Sequence, residues 1–328
     1  MIKPLPWEQI ATPPTDFNVR LAARDMATPT FWGKDALGQW LTIIELDGDH
    51  STEFNRAPLV VHGIGVDLRA GETAGTQRLL LTLQQKTNAD LFLSLCEALI
   101  AALVPVTDSA VAMSVALAHL RRWKAFLSGK RTGLLSAEEI RGLFAELQFL
   151  RDLYQLRLSH IEAVDAWCGA DRVQQDFIFR DNAVEVKSLS GKERSAVRIS
   201  SEDQLETLSS RLFLEVYRLT ELSDSPAGCS LNDLVHLIEG ELTDAQAIET
   251  FTSKLAAAGY APLRDYDTPI LVVSGVRTFA VTEGFPRLVR SALPQGIARL
   301  SYDLELESID HFECVRNIIF EAADGTAG

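Results

Sequence analysis

Basic residues are in short supply in this chain: 31 Lys and Arg stand against 45 Asp and Glu over 328 residues, a formal net charge of -14. Phosphate contacts supply most of the affinity of non-specific nucleic-acid binders, so this balance counts against a freestanding protein of that kind. It leaves room for an enzyme whose few basic residues cluster, or one that a partner brings to its substrate. Cysteine is scarce as well. Cys96, Cys168, Cys229 and Cys314 are far apart and include no C-x-x-C, which removes a disulfide framework or a zinc site and leaves reduced core thiols. The six histidines, His50, His62, His119, His160, His236 and His311, are scattered without an H-E-x-x-H, so a zinc hydrolase is not indicated. There is no G-x-S-x-G elbow and no Walker A loop. Gly63-Ile64-Gly65 lacks the third glycine of a dinucleotide loop, with Leu68 in its place, and reads as a strand irregularity. Any ATP-driven step would have to come from another protein. No apolar run is long enough to span a membrane. The longest, Leu91 to Val106, is interrupted by Glu97 and broken by Pro105, and reads as a buried amphipathic helix capped at Asn88. The first residues, MIKPLPWEQIATPPTDF, lack the apolar core of an export signal. The expectation is a cytoplasmic protein with no membrane partner.

What is present is enough apolar material, 47% of residues, for two packed domains or one large one. From Phe17 to Gln84 the candidate strands are FNVRLAA, TFWG, QWLTIIEL, PLVVHGIGV and TQRLLLTLQ, separated by turn signals at Asp47-Gly48-Asp49 and Ala70-Gly71-Glu72. Helices over 88–104 and 109–127 follow. Residues 1–130 are therefore expected to form a β-rich N-terminal domain with connecting helices. The second domain covers 131–328, with a junction at Gly129-Lys130-Arg131-Thr132-Gly133.

The second domain centres on residues 173–190, VQQDFIFRDNAVEVKSLS. Phe177 and Phe179 alternate with Asp176, Ile178 and Arg180, and Val184 and Val186 with Glu185 and Lys187, so two short strands joined by a turn are predicted. A turn at Asp181-Asn182 would set Arg180 opposite Ala183, Asp176 opposite Lys187 and Ile178 opposite Glu185. Asp176, Glu185 and Lys187 then share one face, with the phenylalanines and valines on the other. Two carboxylates and a lysine can hold a divalent cation and place a water beside a phosphate. An E-x-K triplet is also expected roughly once by chance in a chain of this length, and a surface hairpin with a weak cross-strand ion pair has the same sequence. Upstream, Ser136 and Glu139 have the form of a capping box. Ile140, Leu143, Phe144, Leu147, Leu150 and Leu153 then repeat at helical spacing. Glu146 falls within that stripe, where a carboxylate is costly unless it is paired or binds a metal. An ion pair with Arg151 is the alternative.

A helix with an inward Glu, a strand with Asp, and a strand with E-x-K occur here in the order GLFAEL (142–147), W-C-G (167–169), QDFIF (175–179) and VEVKS (184–188), with ISSEDQL (199–205) beyond. In this the chain resembles the PD-(D/E)XK nuclease superfamily, and more narrowly a bacterial family of PD-(D/E)XK proteins associated with restriction or phage-defence genes. The resemblance covers roughly residues 134–325 and extends in weaker form toward the N-terminus. It implies an α/β (α+β) fold: a restriction-endonuclease-like core with a mixed central sheet flanked by helices. It also implies Mg²⁺- or Mn²⁺-dependent hydrolysis of phosphodiester bonds in double-stranded DNA. The metal ligands would be Asp176 and Glu185 with the Val186 carbonyl, the catalytic lysine Lys187, and the supporting helix carboxylate Glu146. Gln175 stands where the superfamily often has proline.

Other candidates keep two readings each. HLRRWKAFLSGKR, with Arg121, Arg122, Lys124, Lys130 and Arg131 around Trp123, could track a phosphate backbone or form a solvated helix face. Lys192, Arg194 and Arg198 lie just past the E-x-K strand and could contact substrate or belong to a polar turn. Gln204, at an expected helix start, could order substrate or cap a turn. Arg287 and Arg290 in FPRLVRS could contact DNA. Further elements are expected as a strand at 211–219, helices from Ser230 to about Gly240 and from Asp244 to about Ala258, and strands within 268–283 and 298–308. The combined expectation is a DNA endonuclease serving as the cleaving subunit of a restriction or defence system. It would act with a helicase, ATPase or methyltransferase, or as a homodimer. The alternatives are a non-catalytic DNA- or protein-binding subunit, or an RNA-directed nuclease using the same residues.

Overall fold

A computed structural model of the chain describes residues 5–24, 26–56, 61, 63–84, 89–128, 134–169, 175–191, 195–222, 225–294, 297 and 300–320. The chain divides into two compact units, residues 1–132 with 261–264, and residues 133–260 with 265–328. The expected junction at 129–133 and the expected cap at Asn88 lie outside the described residues.

The first unit contains β1 (Phe17–Leu21), β2 (Thr30–Asp35), β3 (Trp40–Asp47), α1 (Ser51–Arg56), β4 (Ile64–Ala70), β5 (Thr76–Leu83), α2 (Ala89–Leu103) and α3 (Ser109–Ser128). Its strands form one antiparallel sheet in the order β1-β2-β3-β5-β4. The two central strands are buried on both faces, so they read as continuous apolar runs: Leu41, Ile43 and Leu80 share one face of β3 and β5, and Ile44, Leu79 and Leu81 the other. Trp7 anchors the preceding segment: its indole donates to the Leu41 carbonyl at 2.7 Å, and its ring stacks 5.1 Å from Trp40 and 5.2 Å from Phe92. Two expectations shift. The strand sought in PLVVHGIGV begins only at Ile64, because Gly63 takes φ +73 in the turn ahead of it, and α1 has too few residues to show helical periodicity. Trp123 in α3 is fully buried against Phe126, so the aromatic in the basic stretch is core and not a stacking platform.

The second unit opens with α4 (Ala137–Leu156), for which the capping box forms: the Ser136 amide donates to Glu139 Oε2 at 2.8 Å, and the Glu139 amide donates back to Ser136 Oγ at 3.3 Å. All six apolar residues of the predicted stripe are buried. Next come α5 (His160–Ala166), β6 (Phe177–Phe179), β7 (Asn182–Ser190), β8 (Ala196–Ile199), β9 (Arg211–Glu221), α6 (Leu231–Glu241), α7 (Ala245–Ala257), β10 (Leu271–Ala280), β11 (Tyr302–Glu305) and α8 (Asn317–Phe320). The principal sheet runs β10-β9-β7-β6 and is mixed, parallel between β7 and β9 and antiparallel at the other two junctions. A parallel pair needs a crossover, and here residues 191–210 supply it through β8 and a turn. Ala183, Leu189, Leu212, Leu214 and Val216 form one sheet face, closed over by Val197, Ile199, Leu205, Leu304 and Leu306 of the β8–β11 ribbon and its flanks. Helix α4 covers the other side of β7. The fold is thus mixed α/β and consistent with a PD-(D/E)XK-like core.

Two local expectations fail in this unit. The β6–β7 turn consists of Arg180 and Asp181, with Phe179 paired to Asn182, Ile178 to Ala183 and Phe177 to Val184. Asn182 is drawn into β7 because its buried amide donates to the Ile319 carbonyl at 2.9 Å, which leaves Arg180 to take φ +51. The register moves by two residues, an even slip, so the set of side chains on each face is unchanged. Residues 202–205 form a turn and do not open a helix at Gln204.

Candidate active site

β6 stops at Phe177, opposite Val184, and this early stop makes the site. Beyond it, among the described residues, the edge of β7 has no strand partner, and Asp176 fills the gap with its side chain: Oδ2 accepts the Val186 amide at 2.8 Å. A residue in a strand points its N–H and C=O to the same side, so the Val186 carbonyl faces that open edge too. The Asp176 carbonyl is held by the amides of Cys168 and Gly169 at 2.7 and 3.1 Å, and Trp167 bridges to Phe177. The W-C-G segment therefore acts as a substitute strand that locks Asp176 in place.

Glu146 reaches the same place from α4. Its Oε2 accepts the Trp167 indole N–H at 2.7 Å. Arg151, the alternative partner, is committed elsewhere, with its guanidinium bidentate on Glu241 at 2.6 to 3.2 Å. Gly169 lies against both carboxylates. A Cβ there would sit 2.6 Å from Glu146 Oε2 and 3.0 Å from Asp176 Oδ1, so only a glycine leaves room for the pair.

Glu185 is 1% exposed. Lys187 Nζ lies 2.8 Å from its Oε1 as an ion pair, and among the described residues neither Glu185 oxygen has a hydrogen-bond donor besides this ammonium. Lys187 also donates to Gln204 Oε1 at 3.3 Å, and the same oxygen accepts the Ser200 amide at 2.7 Å. Glu146, Asp176, Glu185, Val186, Lys187 and Gln204 all line one cleft of about 570 Å³. Its outer walls carry Glu138, Glu139 and Asp303 among acids and Arg141 and Arg198 among bases. Arg198 is exposed on β8 and bonds Ser301 at 3.2 Å. Lys192 and Arg194 lie outside the described residues.

Burial and crowding disturb these groups. Glu146 is pushed up to about 8, first by loss of solvent and then by the neighbouring Asp176 charge, against the Trp167 hydrogen bond. Glu185 is raised well above the usual carboxylate range for the same two reasons, and Asp176 is raised by burial. Burial pulls Lys187 down, yet the surrounding carboxylates outweigh it and the ammonium is stabilised overall.

Glu185 is a buried acid whose oxygens have, among the described residues, no donor besides the Lys187 ammonium, and charges of that kind are costly unless they are fully compensated. Hard oxygen donors from two carboxylates and a carbonyl suit Mg²⁺, which ordinarily completes its shell with water. Asp176, Glu185 and the Val186 carbonyl therefore fit such an ion. Among the described residues no three His, Cys, Asp or Glu side chains are placed to hold a metal together.

The sequence reading missed three contributions. Trp167 and Gly169 shape the carboxylate pair, and only their place in W-C-G hinted at it. Gln175 is 2% exposed, and its amide nitrogen lies 3.0, 3.4 and 2.7 Å from the carbonyls of Asp203, Gln204 and Glu206. Arg287 and Arg290, read as DNA contacts, hold that same turn: Arg287 donates to the Leu205 carbonyl at 2.7 Å, and Arg290 pairs with Glu202 at 3.1 Å.

The family described as "Putative PD-(D/E)XK family member, (DUF4420)" matches residues 4–307. That span takes in the N-terminal unit as well as the cleft, so the match extends well beyond the 134–325 region carrying the motifs. Searches of curated proteins and of solved structures gave no match. By a match over nearly its whole length, and with the helix glutamate, Asp and E-x-K residues gathered in one cleft, the chain belongs to the PD-(D/E)XK family DUF4420.

Proposed function

We propose that this protein is a Mg²⁺- or Mn²⁺-dependent endonuclease that hydrolyses phosphodiester bonds in double-stranded DNA, and that it is the cleaving subunit of a restriction or phage-defence system. One observation carries the reading. Lys187 projects into the cleft beside Glu185, Asp176 and Glu146, one buried cation among three crowded carboxyl groups that hold on to their protons. A structural ion pair has no need of the extra acids, whereas a site that exchanges protons for a divalent cation beside a phosphate has.

Asp176, Glu185 and the Val186 carbonyl would hold the ion, which when bound acidifies water and stabilises charge on the attacking and leaving oxygens. Lys187, held by Gln204, presents its ammonium to a phosphoryl oxygen or to the attacking water. Glu146, with a proton held to about pH 8, limits repulsion at Asp176 and exchanges that proton as the site fills. Arg198 on the cleft wall offers a phosphate contact. Lys192 and Arg194, next in the chain, would extend it.

Charge distribution supports a need for a partner. Residues 1–132 contain 13 Lys and Arg against 13 Asp and Glu, so the whole net charge of -14 falls on the remainder, the part with the cleft. A helicase, ATPase or methyltransferase subunit would supply the affinity that this unit's charge opposes. The same acidity favours the second reading, a non-catalytic subunit that binds a basic protein surface.

Purified protein, alone and with the products of neighbouring genes, is incubated with supercoiled plasmid and Mg²⁺ or Mn²⁺. Nicking or linearisation that disappears in Lys187→Ala, while that variant stays folded, is the expected result. No cleavage under any of these conditions would select the binding-subunit reading, and cleavage of RNA alone would change the substrate class.

A further inference from the structure

The turn at 202–206 is fastened with more care than a surface connection needs. The carbonyls of residues 203 to 206 lie on a turn outside the strands and helices, and only that of Asp203 accepts a backbone amide among the described residues, from Glu206 at 3.2 Å. Backbone acceptors away from water require partners, and here distant side chains supply them. The two N–H bonds of the Gln175 amide serve the carbonyls of Asp203 and Glu206 at 3.0 and 2.7 Å, with that of Gln204 at the margin at 3.4 Å, and Arg287 donates to that of Leu205 at 2.7 Å. From outside, Glu206 accepts the Arg290 amide at 3.1 Å and Ser291 Oγ at 2.7 Å.

Gln175 alone links this turn to the cleft by covalent neighbourhood. It precedes Asp176, and the two side chains leave the backbone in opposite senses, Asp176 to the Val186 amide and Gln175 to the turn. On the turn, Gln204 directs its Oε1 to Lys187, a hydrogen bond that the ammonium makes beside its ion pair with Glu185. A lysine head on four methylenes has several rotamers. Fixing it needs an acceptor that is itself fixed.

We infer that Gln175 is a positioning residue: by holding the 203–206 turn it sets where Gln204 grips the Lys187 ammonium. A proline at 175 would have no donor for those carbonyls, so the chain's departure from the superfamily pattern becomes part of how its lysine is placed. The inference rests on the reading of Lys187 as the working cation of the cleft, and it has a readout that does not depend on cleavage.

The test uses the full chain with Gln175→Met, which keeps side-chain length and removes the donor, Gln204→Leu, and the double variant. Trace acylation with acetic anhydride, read residue by residue by mass spectrometry and normalised to the other lysines, reports the freedom of the Lys187 amine. Each single variant is expected to raise Lys187 reactivity about fivefold or more, the size of one hydrogen bond of about 1 kcal/mol at the lower end for a charged donor. The double variant should match Gln204→Leu alone, because both changes break one chain of contacts. If plasmid cleavage is observed, its turnover should fall in the same non-additive way with little change in KM. Wild-type reactivity of Lys187 in Gln175→Met, or effects that multiply in the double variant, would overturn the inference. Should Gln175→Met not fold, Gln204→Leu still decides: unchanged Lys187 reactivity there overturns the inference as well. A protein that shows the acylation pattern but cuts no nucleic acid would refute the nuclease reading and leave the positioning role standing.

Discussion

Helix α4 sends one carboxylate into each of two ionic clusters. Asp152 goes to the first, where Arg316 donates through Nε to Glu215 Oε1 at 2.5 Å and through Nη2 to Asp152 Oδ2 at 2.7 Å and the Tyr217 hydroxyl at 2.6 Å. Thr278 completes Glu215 by donating to Oε2 at 2.6 Å. Both oxygens of the buried Glu215 thus have donors. Glu146, less than two turns earlier on the same helix, goes to the second cluster, where Glu185 is equally buried and, among the described residues, its oxygens have no donor besides the Lys187 ammonium. Val186 and Glu215 are register partners on adjacent strands, so the two environments are neighbours in one sheet. The satisfied cluster ties the 313–320 segment to the sheet. The unsatisfied one retains charge that a cation and a phosphate could use.

The sharpest way to break this comparison is to exchange the consequences of mutation. Lys187→Ala is expected to lower plasmid cleavage by about 10²- to 10³-fold, the range for loss of a preorganised charge, with a smaller fall in thermal midpoint than Arg316→Met gives, because Glu185 already tends to hold a proton and can do so in place of the lost cation. Arg316→Met should do the reverse. It strands Glu215 without its cation, at a cost of roughly 3 kcal/mol, the lower end for breaking a buried pair. By calorimetry the midpoint should fall by several degrees, and cleavage measured below that midpoint should persist. A Lys187→Ala variant that melted far below wild type would show that the cleft lysine is structural after all.

A smaller effect sharpens the contrast through pH. Glu146 has its folded value raised to about 8 from an ordinary 4.5, so the folded state binds the extra proton between those values. The stability it contributes is complete below the lower value and is lost as pH rises through the upper one. The metal-free protein should therefore melt lower at pH 8.5 than at pH 6, and Glu146→Gln should flatten that slope. Mg²⁺, which competes with the protons, should raise the melting temperature more at the higher pH. A slope unchanged in Glu146→Gln would place the responsible proton elsewhere.

Much of this arrangement was legible in the residue order. Ser136 and Glu139 announced α4, the stripe from Ile140 to Leu153 showed which face is buried, and Glu146 stood out as an acid in that stripe. Alternation alone put Asp176, Glu185 and Lys187 on one side. The turn was misplaced because Asp181-Asn182 has the better local propensity, and a tertiary hydrogen bond from Asn182 to Ile319 outweighed it. Nothing local could show that Gln175, Arg287 and Arg290 meet at one turn, since they come from segments more than a hundred residues apart. The two arginines looked like phosphate ligands because a sequence shows charge but not the carboxylates and carbonyls that claim it.

Gly169 has a consequence for inheritance. A methyl group there would meet Glu146 and Asp176 at their carboxylate tips, which must move to make room, and would meet no backbone atom among its nearest contacts. A single-base change to alanine would thus yield a protein that is made, folds and accumulates while its cleft is spoiled. If the protein cuts DNA as proposed, a genetic selection for cells relieved of that activity would recover this glycine alongside the acids and the lysine, though it supplies no chemistry of its own.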